Sequence, residues 1–419
     1  MPARKRRTSR SPRRHARGRA TKQGLYLAGL FVVASLVALV ALIVIVRYRA
    51  KPKPSRRQPA AVPATRRHGP LLDAARLASI SAHCNQAIQS AGGDDVWLKR
   101  AAEPASGAGQ AEPKGTVLAL AQASPRILSA LERQAAKDGV QLSVRESKGL
   151  AGVSAGSLIE TLSITERNEP VCAWTLREVP RLYRAAIVID DLGQALAPAR
   201  ELLRIPFPLT FSVLPNLPES RETATEANRA GREIMLHLPM EPLAAPRVSP
   251  GPGAILVGMN DREVDKTMED DLASVPYVSG VNNHMGSRAT SDPVLMREVM
   301  KELAARRLYF IDSRTIASSV ALEAARRAGV PSFYRSVFLD DTETVGYSLG
   351  QLRKLSAAVE DQGMALAIGH PHPTTIKALE EFLPELESED IELVPASRLV
   401  RLAERARLAP ASGYADGIR

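Results

Sequence analysis

The sequence predicts an α/β chain in which a (β/α) barrel is preceded by a small α/β domain and one N-terminal transmembrane helix. Three observations predict this class. Short apolar strands alternate with helix-like segments from residue 183 onward, a pattern typical of parallel strands. A weaker mixture of strand and helix patterns covers residues 71–178. An uncharged apolar run covers residues 24–46.

The N-terminal region is predicted to anchor the chain in the inner (cytoplasmic) membrane. Residues 24–46 contain no charged side chain and are long enough to cross a bilayer as a helix. Residues 1–23 carry ten Lys and Arg, which favours a cytoplasmic tail. A cleaved signal peptide is the alternative, although no cleavage site of small residues follows closely. The rest of the chain would then face the periplasm or the cell exterior.

The basic character belongs to the N-terminal region. Residues 1–67 hold 18 Lys and Arg and no Asp or Glu, whereas the rest of the chain holds 38 basic against 45 acidic residues. A basic tail ahead of an apolar run contacts anionic lipid head groups more often than DNA. The sequence therefore predicts a membrane partner and no nucleic-acid partner.

Two segments separate the predicted anchor from the barrel. Residues 47–70 are rich in Pro, Arg and Ala, which is typical of a linker. Residues 71–178 are predicted to form a small membrane-proximal α/β domain, and nothing in it suggests catalysis. Its clearest element is a helix with Pro125 at its first position and a glycine after its end. The domain also holds Cys84 and Cys172, whose pairing the sequence leaves open.

The predicted barrel covers residues 183–402. Its strands are the segments YRAAIVID, PLTFSVLP, REIMLHLP, SGVNNHM, LYFIDS, SFYRSVFLD, GMALAIGH and DIELVP. Helix-like segments between them include PESRETATEANRAG, SDPVLMREVMKELAARR and SSVALEAARRAG. About eight such units fit a barrel better than an open sheet, although the sequence does not exclude an open sheet.

Polar side chains follow nearly every predicted strand at the point where it ends. They are Asp190, Asp191, Asn216, His237, Asn282, Asn283, His284, Asp312, Ser313, Asp340, Asp341, His370 and His372. The four histidines of the region all lie at such ends, which packing alone explains poorly. Strand ends of a barrel meet at one mouth, where Asp, His and Asn suggest a divalent metal, with zinc as the first choice. Such a centre favours metal-assisted hydrolysis of an amide or an ester.

Five segments in order, VIDDLG, GREIMLHLPMEP, GVNNHMGSR, YFIDSRT and AIGHPHP, resemble the divergent polysaccharide deacetylases, a branch of the NodB-like carbohydrate esterases. The resemblance covers about residues 183–402. It implies a distorted (β/α) barrel of the NodB-like type. It also implies metal-dependent removal of N- or O-acetyl groups from a polysaccharide.

The resemblance further implies roles for individual residues. Of the two tandem aspartates, Asp190 would be the catalytic base and Asp191 a metal ligand. His237 would be a second metal ligand, and His370 would be the general acid. Asp312 would orient His370 or contact the sugar; a structural salt-bridge partner is the alternative for this residue.

The sequence departs from these relatives just after His237. The relatives carry a further histidine about one turn on, whereas this chain has Glu241 four residues on, in the segment LPMEP. The third metal ligand is therefore Glu241 or His284, and the position of His284 at the end of the next strand favours it. Ser287 and Arg288 remain open between substrate contact and a role in their own loop.

The predicted function is that of an envelope-facing, metal-dependent carbohydrate deacetylase. The alternative is a non-catalytic glycan-binding or scaffold protein of the envelope that keeps the same fold. A glycoside hydrolase with paired carboxylates is a third option, against which the strand-end histidines weigh. The sequence leaves open which polysaccharide is the substrate and whether N- or O-acetyl groups are removed.

Overall fold

The computed structural model describes residues 74–100, 114–147, 159–167 and 169–408. These residues form two β-sheets and the helices that cover them. Within this part of the chain, none of the helices combines the length and the apolar character needed to cross a membrane. The predicted basic tail, the predicted anchor at residues 24–46 and the predicted linker all lie outside the described residues.

The first part of the described chain is an α/β domain built on a five-stranded sheet. Its elements are α1 (Ala74–Gly92), β1 (Val96–Arg100), β2 (Lys114–Ala119), α2 (Ser124–Asp138), β3 (Gln141–Ser147), β4 (Ile159–Glu166) and β5 (Glu169–Glu178). The strand order is β1-β2-β5-β4-β3, and all pairs are antiparallel except β2 with β5. Pro125 lies in the first turn of α2, and Gly139 ends the helix with a left-handed φ of 68°, as the sequence predicts.

Both cysteines lie in the core of this domain. Cys84 of α1 and Cys172 of β5 are buried among the apolar side chains of both helices and the sheet. Both are thiols in the structure, and hydrogen bonding with the thiol of Cys172 lowers the pKa of Cys84. The two thiols are therefore neighbours.

The second part of the described chain alternates strands with helices. Its elements are β6 (Tyr183–Leu192), α3 (Leu196–Leu203), β7 (Thr210–Val213), α4 (Ser220–Arg229), β8 (Glu233–Met240), α5 (Asp261–Ser274), β9 (Val278–Met285), α6 (Pro293–Arg306), β10 (Tyr309–Asp312), α7 (Ala321–Arg327), β11 (Ser332–Tyr334), β12 (Val337–Phe338), α8 (Val345–Gln362), β13 (Met364–Gly369), α9 (Pro373–Ser388), β14 (Ile391–Leu393) and α10 (Ala396–Leu408). Each segment that the sequence predicts as a strand of the barrel overlaps at least one of these strands.

The strands form one curled parallel sheet that is not a closed barrel. The order is β11-β10-β9-β8-β7-β6-β13-β12, with β14 paired to β6, and within the described residues no ladder joins β11 to β12. The predicted strand SFYRSVFLD is broken at Arg335 and Ser336. The amide of Arg335 donates to the carbonyl of Asp312 at one edge, and that of Ser336 donates to the carbonyl of Leu366 at the other. The chain thus crosses between the edges, and its amides cannot continue a ladder.

The strands alternate between two apolar cores. On β6, residues Ala185, Ile187 and Ile189 pack in the main core with the surrounding helices. The alternate residues Ala186 and Val188 belong to a second core, to which α10 also contributes side chains. A strand of this kind is apolar on both faces, as expected for a buried parallel sheet. Polar side chains at the strand ends therefore mark the open mouth of the curl.

Candidate metal centre and active site

Strand β6 delivers two adjacent carboxylates to the mouth. Asp190 continues the alternation that points into the second core. Asp191 would ordinarily point the other way, but it has a left-handed φ of 56°, and the register between β6 and β7 shifts at this point. As a result the Nε2 atom of His237 lies 3.5 Å from Asp190 Oδ2 and 3.2 Å from Asp191 Oδ1.

Three potential ligand atoms form a nearly equilateral triangle. Asp191 Oδ1 lies 3.2 Å from His237 Nε2 and 3.0 Å from His284 Nδ1, and the two nitrogens are 3.2 Å apart. In a tetrahedral site with zinc–ligand bonds of about 2.0–2.1 Å, neighbouring ligand atoms are roughly 3.3 Å apart. Asp191 Oδ1 is buried and accepts no hydrogen bond from the described residues, although two nitrogens lie so close. This arrangement fits a divalent metal held by the three side chains.

The hydrogen bonds of Asn282 fix the tautomer of His237. The Asn282 amide nitrogen donates to both oxygens of Asp190, at 2.9 and 3.1 Å, so its oxygen faces the imidazole. That oxygen accepts a hydrogen bond of 3.0 Å from His237 Nδ1. Because Nδ1 carries the proton, Nε2 has a lone pair directed toward Asp191, as a metal ligand requires. Sequence reasoning placed Asn282 at a strand end but gave it no role.

The charge of Asp191 depends on its two histidine neighbours. Burial alone would raise the pKa of Asp191, but His237 and His284 beside it hold the pKa well below its usual range. In His237, burial alone would lower the pKa, and Asp190 and Asp191 raise it. A divalent ion at the same point would supply the positive charge that the carboxylates favour.

His370 faces the centre from β13, and Asp340 orients it. His370 Nε2 lies 3.8 Å from Asp191 Oδ2, and Nδ1 lies 3.0 Å from Asp340 Oδ1. Asp340 Oδ2 also accepts from the backbone amide of His370 at 2.5 Å and from the hydroxyl of Thr375 at 2.8 Å. Burial alone would lower the pKa of His370, but Asp340 and the aspartates of β6 raise it to about 9.

The prediction that Asp312 orients His370 is wrong. The carboxylate of Asp312 serves its own loop, because Oδ1 accepts from the amide of Arg314 and Oδ2 from the hydroxyl of Ser319, each at 2.8 Å. Asp340 takes the expected place because β12, which precedes it, pairs directly with the strand of His370. The signal in the sequence was the second pair of strand-end aspartates.

The partners of Glu241 hold it in a loop role. Its carboxylate accepts from the amide of Val257 and from Arg288 Nη1, each at 2.7 Å. The hydroxyl of Ser287 accepts from the same loop at 2.9 Å. These residues therefore tie together the loops that follow β8 and β9. Of the two alternatives for the third ligand, the structure brings His284, not Glu241, into the triangle with Asp191.

His372 lies at the edge of the same mouth. Its Nδ1 is 3.8 Å from Glu343, and its ring centroid is 5.8 Å from that of His370. With Asp340 and His370 it forms a second group of potential metal ligands. Both oxygens of Asp340, however, already accept hydrogen bonds, so this carboxylate has less capacity left for a metal ion than Asp191 has.

Known proteins match the second part of the chain. The sequence profile of the family described as divergent polysaccharide deacetylase matches residues 187–400. The uncharacterized protein YibQ of Escherichia coli (strain K12) is 37% identical over 217 residues, which is 52% of this chain and 67% of that protein. An uncharacterized protein of Haemophilus influenzae is 38% identical over 218 residues, which is 52% of this chain and 77% of that protein.

A solved structure is also similar to about half of the chain. The crystal structure of the uncharacterized protein ATU2773 from Agrobacterium tumefaciens C58 matches with a TM-score of 0.51 and 26% identity. The match covers 52% of this chain and 89% of that one. The order of the matching segments, the curled parallel sheet and the sequence profile agree. The chain belongs to the divergent polysaccharide deacetylase family.

Proposed function

We propose that the protein is a metal-dependent carbohydrate deacetylase that hydrolyses acetyl groups of a polysaccharide. The observation that carries this proposal is the triangle of Asp191, His237 and His284, with Asp190 and His370 beside it. Membership of a family of polysaccharide deacetylases supports the class of substrate. Zinc is the proposed metal, since two imidazoles and one carboxylate leave a fourth tetrahedral position open.

Asp190 is the proposed base. A bound divalent metal supplies acidity to a water molecule and polarises the acetyl carbonyl. Asp190 is 3% exposed, and the amide of Asn282 fixes the orientation of its carboxylate. It lies beside the triangle without belonging to it, which places it to take the proton of the attacking water.

His370 is the proposed acid. Asp340 and the aspartates of β6 raise the pKa of His370 against the effect of burial, which favours the doubly protonated imidazole. Asp340 holds the Nδ1 proton, so the Nε2 proton faces the centre and is available to the departing amine or alkoxide. Asp340 thus acts as a positioning residue, because it touches only His370 and the surrounding chain.

We further propose that the deacetylase domain acts outside the cytoplasm. The support is the apolar run at residues 24–46 behind a basic tail, which predicts a single-pass inner-membrane anchor. The substrate would then be a polysaccharide of the cell envelope.

The test measures metal binding and acetate release separately on the purified full-length chain. After chelation, we expect one equivalent of zinc to rebind and to restore acetate release from acetylated chito-oligosaccharides. Asp191→Asn and His237→Gln should lose both, and Asp361→Asn, an exposed acid on α8, is the control. Acetate release that survives Asp191→Asn would overturn the mechanism. Glycan binding without turnover would instead favour the non-catalytic alternative.

A further inference from the structure

Two pockets at the gap in the curled sheet share one arginine. The first has a volume of about 660 Å³, and its lining includes Arg314, Arg326 and Arg335. The second has a volume of about 500 Å³, and its lining includes Arg335, Tyr347 and Lys354. Arg335 belongs to the segment that crosses between the two sheet edges. The two pockets therefore lie on either side of this crossing.

The guanidinium of Arg335 is held in place without a counter-ion. Its Nε donates to the carbonyl of Ser313 at 2.6 Å, and its Nη2 donates to the carbonyl of Arg314 at 2.8 Å. These bonds use two of its five N–H donors. Carbonyl oxygens orient the group but do not neutralise it. No carboxylate of the described residues lies within ion-pair distance of Arg335. Burial and neighbouring Arg314 lower the pKa of Arg335, and the more distant Asp190, Asp312 and Asp341 oppose this only in part.

Other cations around the pockets also lack carboxylate partners. The guanidinium of Arg314 lies 3.8 Å from the centre of the Tyr334 ring, which leaves its charge in place. Across the described part of the chain, the ion pairs include neither Arg326 nor Lys354. Both side chains belong to exposed residues on helices.

Two of the three acids that line the pockets are already engaged. Asp312 is buried with both oxygens hydrogen-bonded to its own loop. Glu323 forms an ion pair with Arg327. Asp341, in the lining of the second pocket, is exposed. Arg335 therefore brings a fixed positive charge to the place where the pockets meet, where Asp190, Asp312 and Asp341 are near enough to raise its pKa.

Arg335 is physically linked to the proposed catalytic residues. Its guanidinium lies 4.8 Å from the centre of the Phe338 ring, and the ring of His370 lies edge-on to the same Phe338 at 5.4 Å. On the other side, the hydroxyl of Ser313 accepts from Asn282, which holds the proposed base. An anion bound to Arg335 would therefore lie near the proposed catalytic residues, within reach of a polysaccharide whose acetyl group is at the metal centre.

We propose that the two pockets form one groove for an acidic polysaccharide, in which a sugar carboxylate binds Arg335. This inference rests on the proposed function and narrows its substrate class. The planar guanidinium matches a carboxylate with paired hydrogen bonds, and its free donors are already oriented. The rings of Tyr347 and Phe338 offer apolar surface for the sugar on one side of the carboxylate.

The test compares binding of three oligosaccharides to the full-length chain carrying Asp191→Asn, which prevents turnover. The probes are a hyaluronan hexasaccharide, the same hexasaccharide with methyl-esterified carboxylates, and chitohexaose. The acidic hexasaccharide should bind about tenfold or more tightly than either neutral probe. This preference should shrink as salt is raised, because screening weakens charge pairs at an open groove.

Arginine variants test whether the preference for the acidic probe comes from the two pockets. Arg335→Gln should reduce the affinity for the acidic probe to that for the esterified one. Arg326→Gln should weaken binding of the acidic probe several-fold. Because Arg326 is exposed, this variant tests the proposal even if Arg335→Gln fails to fold. Arg353→Gln removes an equal charge from α8 outside both pockets and should change nothing.

Equal binding of the acidic and esterified probes would overturn the proposal. So would acidic binding that neither Arg335→Gln nor Arg326→Gln weakens, or the absence of binding to all three probes. If the wild-type chain keeps the acidic preference but releases no acetate, the proposed function fails and the groove stands.

Discussion

The chain has two pairs of tandem aspartates at strand ends, at residues 190–191 and 340–341, and their histidine contacts differ. Asp191 Oδ1 lies near two imidazole nitrogens but accepts no hydrogen bond from the described residues. The carboxylate of Asp340 accepts three hydrogen bonds, two of them from His370. The same residue types thus form a site that fits an ion in one place and a complete hydrogen-bonded pair in the other.

The two carboxylates show that a candidate metal ligand differs from a positioning residue in how many of its acceptor atoms already accept hydrogen bonds. A carboxylate whose acceptors are already filled has little left to offer a metal. A buried carboxylate oxygen that accepts no hydrogen bond is stabilised when a cation joins it.

Asp191→Asn and Asp340→Asn should separate metal binding from acid catalysis. Asp191→Asn removes a charged corner of the triangle, so zinc binding should be lost and acetate release should fall to background. Asp340→Asn should keep one equivalent of zinc, because its side chain lies outside the triangle. Metal analysis after gel filtration measures both variants. If Asp191→Asn retained zinc, or if Asp340→Asn lost it, the assignment of Asp191 as ligand and Asp340 as positioning residue would be wrong.

His370→Gln should lower kcat for acetate release by about 10²–10⁴ while zinc binding persists. The physical reason is loss of the proton donor with no change in the three ligand atoms. Steady-state kinetics on acetylated chito-oligosaccharides, with zinc content measured on the same samples, tests this expectation. His83→Gln, in the first domain, is the matched control. Loss of zinc in His370→Gln would mean that this histidine is a ligand.

Asp340→Asn should also move the alkaline limb of the activity profile toward lower pH. Asp340 is the largest of the contacts that raise the pKa of His370 to about 9 against the lowering effect of burial. Removing this charge lets the pKa fall toward the ordinary value of 6.5, so the protonated acid disappears at lower pH. The measurement is kcat/KM across pH 6–10. An unchanged alkaline limb would show that another group sets it.

The sequence predicted the strands and the polar strand ends well, because both follow from local patterns. Each predicted strand of the barrel is present, and His237 and His284 lie with Asp191, as their positions at adjacent strand ends implied. The break in SFYRSVFLD was not visible. Both halves favour a strand, and only pairing with two different edges shows that residues 335 and 336 form a crossing.

The partner of His370 could not be predicted for a similar reason. Asp312 and Asp340 are both buried aspartates at strand ends. The choice between them depends on sheet order, in which β13 lies between β6 and β12 rather than beside β10. Likewise, Glu241 directly follows β8 and His284 lies at the end of β9. Only the loop contacts of Glu241 show that it points to Arg288. Both choices depend on contacts between residues far apart in the sequence, which local patterns do not reveal.

Asp271 extends the comparison to a buried carboxylate with a single partner and has the smallest expected effect on activity. It lies on α5, fully buried; Asn216 donates to Oδ1 at 2.7 Å, while Oδ2 has no partner among the described residues. Burial raises its pKa from 3.8 to about 7, and the bond from Asn216 opposes this only in part. Since the folded pKa exceeds the unfolded one, the stability that comes from protonation is complete below pH 3.8. It is lost as pH rises through about 7.

Asp271→Asn should therefore stabilise the fold at pH 8 and matter less at pH 5. The variant keeps an oxygen acceptor for Asn216 and removes the buried charge, so the gain at pH 8 should reach a few kcal/mol, on the order of 1.4 kcal/mol per pKa unit. Urea unfolding at both pH values measures it, with acetate release unchanged. Asp270→Asn, the exposed neighbour paired with Lys266, is the matched control and should show no such pH dependence. If the stability of wild type and of Asp271→Asn changes with pH in parallel, Oδ2 must have a polar partner. Partial solvation would then stabilise a buried carboxylate in the place of a cation or a histidine.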